Sequence, residues 1–478
     1  MTNVEMMIQL NPQAPEPMYW QLYRQIRGLI LSGKWEAGEK VPPSRELARA
    51  LGVSRVTVAQ AYAWLQAEGF VTGRRGAGTF VADVGQWGVF DEKRPSTLRL
   101  TAWGRRILAA QERVVRGQPR PEIDFGFGRS FPHIFPYDIW RKLLARYLST
   151  DDVMLSRYGS AAGFYPLRQA LADRLAHWRG IICQPEQVVI VNGAQQALDM
   201  LSRLLVEPGD EVLMESPGYA DAAALFRAHG ALLTPVPVDD AGFCTELIAL
   251  DSRAVLAFVT PSNQFPRGGA MPLARRLALL HWARKQGAFV VEDDYDGELR
   301  YDGRPLSALK SLDEMDQVIY LGTFSKVLFP ALRLAYVVLP EVLVRPFIQA
   351  KGLVDRGAPT LTQAAVADFI TEGHFDRHLH HLRAAYGRRR QALVDALARY
   401  LGEKVSFVSE PAGLHVMVFL PAGWDEETAV AQAETAGVGI YPASPYFLQP
   451  GPPAILLGFS GLTEAEIVEG IRRLASIL

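Results

Sequence analysis

From residue 123 onward, short apolar runs alternate with helical patterns, and this alternation constrains the fold more than any other feature of the chain. Residues 188–191, 211–214, 254–259 and 289–291 are such runs, rich in β-branched side chains. A strand that is apolar on both faces must be covered on both faces. Helical segments between such strands predict a mostly parallel sheet inside an α/β domain. After a break expected near 343–357 comes a long helical stretch with His-rich and Arg-rich turns, then strand-like runs at 405–408, 414–420 and 455–459. That tail predicts a smaller α+β subdomain. No internal repeat or low-complexity tract is present.

The chain has 478 residues, enough for two or three domains, and its 49% apolar and 21% charged residues fit a globular protein with a large core. The expected division is 1–81, a linker at 82–122, a large domain at 123–345 and the small subdomain at 346–478. The net charge of −1 conceals an asymmetry. Between residues 17 and 81, nine Lys/Arg oppose four Asp/Glu, so a basic head precedes an acidic body. Cys183 and Cys244 are far apart and lack metal-ligand spacing. They read as reduced thiols of a cytoplasmic protein, and no metal is expected. The N-terminus lacks a signal-peptide pattern, and no apolar stretch approaches the roughly 20 residues of a membrane span.

The head carries its own motif. A helix is predicted over 17–32, a short one from Ser44 as N-cap to a stop at Gly52, and a third from the cap Ser54 to Glu68. Two short strands then flank the basic turn Gly73-Arg74-Arg75-Gly76-Ala77-Gly78. Residues at the start of a recognition helix reach base edges, and helix N-termini accept phosphate. The bland alternative is a three-helix bundle with a hairpin, but helix, turn and wing occur together and in order. This segment resembles the winged helix-turn-helix of the GntR superfamily. The resemblance implies a double-stranded DNA operator as partner, contacted by Arg45, Arg49, Ser54, Arg55, Thr57 and Arg75.

The body holds a second constellation. Gly322-Thr323-Phe324-Ser325-Lys326 ends in a lysine, and Glu292-Asp293-Asp294-Tyr295 lies upstream. Pyridoxal 5′-phosphate (PLP) needs an amine for its aldehyde and a carboxylate for its ring nitrogen. If the acidic stretch is extended, Asp293 and Tyr295 point to the same side. Asn192-Gly193-Ala194-Gln195 follows the run 188–191 and opens a helix, so Gly193, Ala194 and Gln195 offer amides to a phosphate. Taken singly, each element has a plainer reading as a surface lysine, an acidic loop or a helix start.

Together these residues resemble a fold-type I, class I aminotransferase, and the fusion resembles the MocR subfamily of GntR regulators over nearly the whole chain. The resemblance implies PLP as cofactor, with Lys326 as the Schiff-base lysine and Asp293 on the ring nitrogen. It also implies Tyr295 near the ring hydroxyl, Ser325 and Arg333 on the phosphate, and Tyr219 stacked on the ring. Tyr158 would reach the phosphate of a partner subunit's cofactor, which implies a homodimer. Asn263 is the candidate for the ring-contacting asparagine. The class motif Asn-Pro-x-Gly, however, reads Asn263-Gln264-Phe265-Pro266-Arg267-Gly268 here.

A second departure concerns what is sensed. No arginine occurs between Arg399 and Arg472, where relatives that handle amino acids place a carboxylate clamp. Arg267 or an arginine of a partner subunit would have to stand in, and Asp221 adds a negative charge near Tyr219. The expectation is a DNA-binding regulator whose small-molecule effector is PLP itself and whose target is vitamin B6 supply. The alternatives are a regulator that senses an amino acid and a working aminotransferase, whose chemistry Lys326, Asp293 and Tyr295 permit.

Overall fold

A computed structural model describes residues 7–83, 99–109, 121–128, 134–148, 156–301, 305–408, 410–421 and 423–477. The chain divides into two compact units, Met1–Arg99 and Leu100–Leu478. No helix among the described residues is long and apolar enough to cross a membrane.

The first unit contains α1 (Met18–Leu31), α2 (Ser44–Leu51), α3 (Arg55–Ala67) and the antiparallel pair β1 (Val71–Arg74) and β2 (Gly78–Val81). Leu22, Tyr23, Ile26 and Ile30 of α1 meet Leu47 of α2 and Val58, Ala61 and Leu65 of α3 in one small core. Gly52 ends α2 in the left-handed region at φ 65°. Ser54 caps α3 by accepting a hydrogen bond from the Thr57 amide at 3.1 Å. Ser44 is the first residue of α2 and not its cap. The Pro43 carbonyl already accepts from the amides of Glu46 and Leu47, so the helix starts one residue earlier. The strands also run further into the basic turn than expected, which leaves Arg75, Gly76 and Ala77 at its tip.

In the second unit, α4 (Ala102–Ala109), β3 (Ile123–Asp124), α5 (Tyr137–Leu148) and α6 (Tyr165–Arg179) precede the sheet. Its first part is β4 (Val188–Val191), α7 (Ala194–Leu205), β5 (Glu211–Ser216), α8 (Ala220–His229), β6 (Leu232–Asp239) and β7 (Gly242–Phe243). The rest is β8 (Leu256–Val259), α9 (Leu273–Gln286), β9 (Phe289–Asp294), β10 (Val318–Thr323) and β11 (Ala335–Val338). The strand order is β4-β11-β10-β9-β8-β5-β6-β7. β10, β9, β8, β5 and β6 are parallel, and β11 runs antiparallel between β4 and β10. Helices cover both faces, so β4, β8 and β11 are buried at every position.

The expected break near 343–357 is a helix, α10 (Glu341–Val354), with Pro346 inside it. The proline is tolerated because the carbonyl it leaves without a donor belongs to Val342, which is exposed. After α10 come α11 (Thr360–Thr371) and the 27-residue α12 (His374–Tyr400). The small subdomain then follows, with β12 (Ser406–Phe407), β13 (His415–Phe419), α13 (Glu426–Thr435), β14 (Val438–Gly439), β15 (Tyr441–Pro442), β16 (Ala454–Gly458) and α14 (Glu464–Ala475). Its sheet has the order β12-β13-β16-β15.

Two features cut across the expected linear division. β3 pairs with β14, and the Phe125 carbonyl accepts from the Gly458 amide at 2.7 Å, so this early segment packs with the small subdomain. The expected linker also contains a helix, α4, which is fastened to α8, where the Arg106 Nε donates to the Ala228 carbonyl at 2.7 Å.

Candidate functional site

Five strand ends converge on one cavity of about 300 Å³. β10 and β9 are adjacent and parallel, with Leu321 level with Asp293. The turn after β10 brings Lys326 to the wall, and the end of β9 brings Asp293 and Tyr295. α7, after β4, contributes Ala194 and Gln195; β5 leads to Tyr219 and β8 to Thr260. Ser325, Arg333, Asp221, Phe265, His415 and Gly128 also line the cavity. Ligands in parallel α/β sheets bind at this carboxyl edge because helix starts and loops gather there.

Alternation along β9 separates its acids. Asp293 faces the cavity, whereas Glu292 and Asp294 take their partners elsewhere. Glu292 accepts from the amides of Leu309 and Lys310 at 2.8 and 2.9 Å. Asp294 pairs with the buried Arg179 at 2.8 Å and accepts from the Tyr320 hydroxyl. Burial, reinforced by the Asp294 carboxylate, pushes the Asp293 carboxyl up to about 7 even though Lys326 acts against it. A cation beside this carboxyl, such as a protonated ring nitrogen, would favour its charged form and offset the burial.

The other end of the cavity suits a phosphate. Gly193 caps α7 at φ 103°, ψ 162°, a conformation essentially confined to glycine. A Cβ there would sit 2.6 Å from the Arg333 Nη2, so the glycine makes room for the guanidinium beside the helix start. Gly128 makes similar room at the lysine, where a Cβ would lie 3.2 Å from the Nζ of Lys326. Amine, buried carboxyl, stacking tyrosine and an Arg–helix cradle form a donor set that fits PLP.

Asn263 is not on the wall. It lies one layer out, where its side-chain amide donates to the Tyr295 hydroxyl at 3.1 Å and to Asp296 at 2.7 Å. Aligned on Pro266-Arg267-Gly268, the asparagine of the class motif falls on Phe265, which does line the cavity. Tyr158 is likewise absent from this cavity. It is 84% exposed, with the Arg356 guanidinium 5.5 Å from its ring centre.

Three residues on or just behind the wall escaped the sequence reading. Glu215, at the end of β5, is fully buried behind Thr260 and accepts from the Thr260 amide and hydroxyl and from Gln264 at 3.0, 2.6 and 3.0 Å. Burial pushes its carboxyl up to about 7. His415 donates from Nε2 to the Pro266 carbonyl at 3.0 Å, and burial pushes its imidazole down to about 4. Phe265 is the third. A lone acid closing an apolar strand and a lone histidine inside one were the available signals.

Among the described residues, the arginine-free stretch 400–471 puts no Lys or Arg on the cavity wall. Leu456, Ala443 and Tyr446 are buried with Phe265, Met417 and Ala454. Arg267 is committed elsewhere, paired with Asp240 at 2.6 Å and lying over the Phe419 ring. Among the described residues, Lys326 and Arg333 are the cations on the cavity wall.

In the first unit, Arg45, Arg49 and Arg55 are exposed on α2 and α3, Ser54 is exposed, and Thr57 is half-buried. Arg75 is exposed at the tip of the β1–β2 turn, while Arg74 lies over Phe80 with its guanidinium 4.8 Å from the ring centre.

Residues 18–81 match the model for bacterial regulatory proteins of the gntR family, and residues 130–474 match that for aminotransferase class I and II. The chain is 37% identical over 479 residues to the probable rhizopine catabolism regulatory protein MocR of Rhizobium meliloti, covering 98% of this chain and 95% of that one. It is 30% identical over 440 residues to the pyridoxine biosynthesis transcriptional regulator PdxR of Corynebacterium glutamicum, covering 92% and 91%. Among solved structures, it resembles LysN, the α-aminoadipate aminotransferase of Thermus thermophilus, complexed with N-(5′-phosphopyridoxyl)-L-leucine. The TM-score is 0.72 and the identity 31%, over 79% of this chain and 96% of that one.

Proposed function

The chain belongs to the MocR type of GntR-family transcriptional regulators, and from that membership we propose that its aminotransferase-like domain binds PLP and uses PLP as the signal that sets operator affinity. The observation that carries the proposal is the convergence of Lys326 and Asp293 on one cavity whose far end has a glycine-capped helix start and Arg333. When bound, PLP supplies an aldehyde that bonds to a lysine amine and an electron-withdrawing ring. Asp293 would hold the ring nitrogen, Tyr219 the ring face, Tyr295 the ring hydroxyl, and Ser325, Arg333 and the α7 amides the phosphate.

The relatives' names span pyridoxine biosynthesis and rhizopine catabolism, so kinship alone does not single out an effector. The cavity wall favours one without a carboxylate. An amino acid would bring that charge against Phe265 and its aromatic neighbours, and an unpaired charge there is costly. PLP brings a phosphate that the wall already matches. The same argument disfavours an aminotransferase acting on amino acids. A cytoplasmic homodimer, with Tyr158 of one subunit at the other's phosphate, completes the reading, and vitamin B6 supply is the proposed target.

The test is a PLP titration followed by visible absorbance. Wild type should gain, in a saturable way, the band of PLP bonded to a lysine, and Lys326→Ala should not. An identical spectrum in the variant would sink the assignment.

A further inference from the structure

One ion pair outside the cavity, with its lysine fully buried and its aspartate half-buried, points at the phosphate end. Lys351, with a side chain 0% exposed, donates to both carboxylate oxygens of Asp355 at 2.8 and 2.7 Å. Asp355 ends α10 and is not on the cavity wall. Its Oδ1 accepts from the Gly357 amide at 2.8 Å, which fixes its own turn. Its Oδ2 accepts from the side-chain amide of Asn192 at 2.9 Å and from that of Gln196 at 2.7 Å. Those residues bracket the cradle Gly193-Ala194-Gln195. Gln196 also accepts from the Asn192 backbone amide at 2.8 Å, and the Asn192 carbonyl accepts from Arg333 at 3.4 Å. One carboxylate oxygen therefore pins the residue before the cradle, the residue after it and, through Asn192, the guanidinium that completes it.

Burying a lysine is costly, and this pair replaces what an apolar contact could do for stability alone. Beyond its own turn, the hydrogen bonds of Asp355 reach toward the phosphate end. We propose that Asp355, held by Lys351, is a positioning residue that makes the cavity select a phosphate monoester of the pyridine aldehyde over its unphosphorylated form. This inference rests on the reading that the cavity takes PLP. A rigid cradle offers its amides and guanidinium at fixed positions, whereas a slack one must be ordered by each ligand.

The test compares PLP and pyridoxal binding to the full-length protein by absorbance titration. Three proteins are used: wild type, the double variant Lys351→Met/Asp355→Ala, which removes both charges of the pair together, and Gln196→Met, which leaves the ion pair intact. The expected result is a loss of PLP affinity of about tenfold in each variant, with pyridoxal affinity unchanged, so that the preference between the two ligands collapses. Equal losses for both ligands, or an unchanged preference, would overturn the inference while leaving the PLP reading standing. If wild type gives no saturable PLP band, the PLP reading itself falls and the inference with it. Should the double variant not fold, Gln196→Met decides alone.

Discussion

Gly193 and Arg333 approach so closely that a Cβ on the glycine would lie 2.6 Å from the guanidinium Nη2. The glycine also has a backbone conformation, φ 103° and ψ 162°, that other residues rarely adopt. Gly193→Ala should therefore cost about 1–3 kcal/mol of stability. The guanidinium can swing away, but only by leaving the phosphate end of the cavity. PLP titration of the variant should show a loss of affinity larger than the loss for pyridoxal. Unchanged PLP affinity would mean that Arg333 and the α7 start do not hold the phosphate.

Glu215 supplies a pH test. Its carboxyl is raised from about 4.5 to about 7 by burial. Between those values the folded protein keeps a proton that the unfolded chain has lost, so stability falls as pH rises through that window. His415, pushed down to about 4, acts in the opposite sense below its usual value, but it is common to wild type and variant. In Glu215→Gln the Glu215 contribution is absent. Chemical denaturation at pH 4.5 and 7.5 should show wild type losing stability relative to the variant, by an amount of order 3 kcal/mol. A relative gain for wild type would contradict the assignment of a buried, proton-holding Glu215.

The head yields a contrast between two arginines. Arg55 is the first residue of α3 and Arg75 lies at the tip of the β1–β2 turn. A base-edge contact from Arg55 would be worth about 1–3 kcal/mol of discrimination. Arg55→Ala should thus relax sequence preference. Arg75→Ala should weaken all sequences evenly and reduce the salt slope by about one. Operator titrations at several salt concentrations separate the two. Intact affinity in both variants would remove the head from DNA contact.

Tyr158 tests the assembly. Its ring is 84% exposed within one subunit, far more than a core aromatic would be. If it completes the site of a partner subunit, Tyr158→Ala should weaken PLP binding although the residue is absent from its own subunit's cavity wall. Light scattering and PLP titration of the same sample check this. A dimer with undiminished PLP affinity would contradict the shared site.

The runs at 188–191, 211–214 and 254–259 were legible because strands apolar on both faces leave a continuous signal. β9 was legible only in part. The run 289–291 ends before the acids, yet the strand continues to Asp294 because Glu292 and Asp294 find Leu309, Lys310 and Arg179 as partners, all distant in sequence. β6 was hidden by Pro235 and Pro237. Two residues apart, they leave their missing N–H groups on one side of the strand, where one edge bears the cost. The site divides along the same line. Lys326, Asp293, Tyr219 and the α7 start follow local motifs, so order along the chain was enough to mark them as candidates, and they line one cavity. Glu215 and His415 matter through contacts with Thr260, Gln264 and Pro266, which no local pattern encodes.

The central claim is that PLP is the signal, and operator binding tests it most directly. Affinity for one operator fragment should be measured with the apo-protein, the PLP-loaded protein, and the PLP-loaded protein in the presence of each of a panel of amino acids. The account predicts a clear change between the first two and none on adding amino acids. No change with PLP, together with a strong change for one amino acid, would contradict it. The missing carboxylate partner would then have to be sought beyond the described wall.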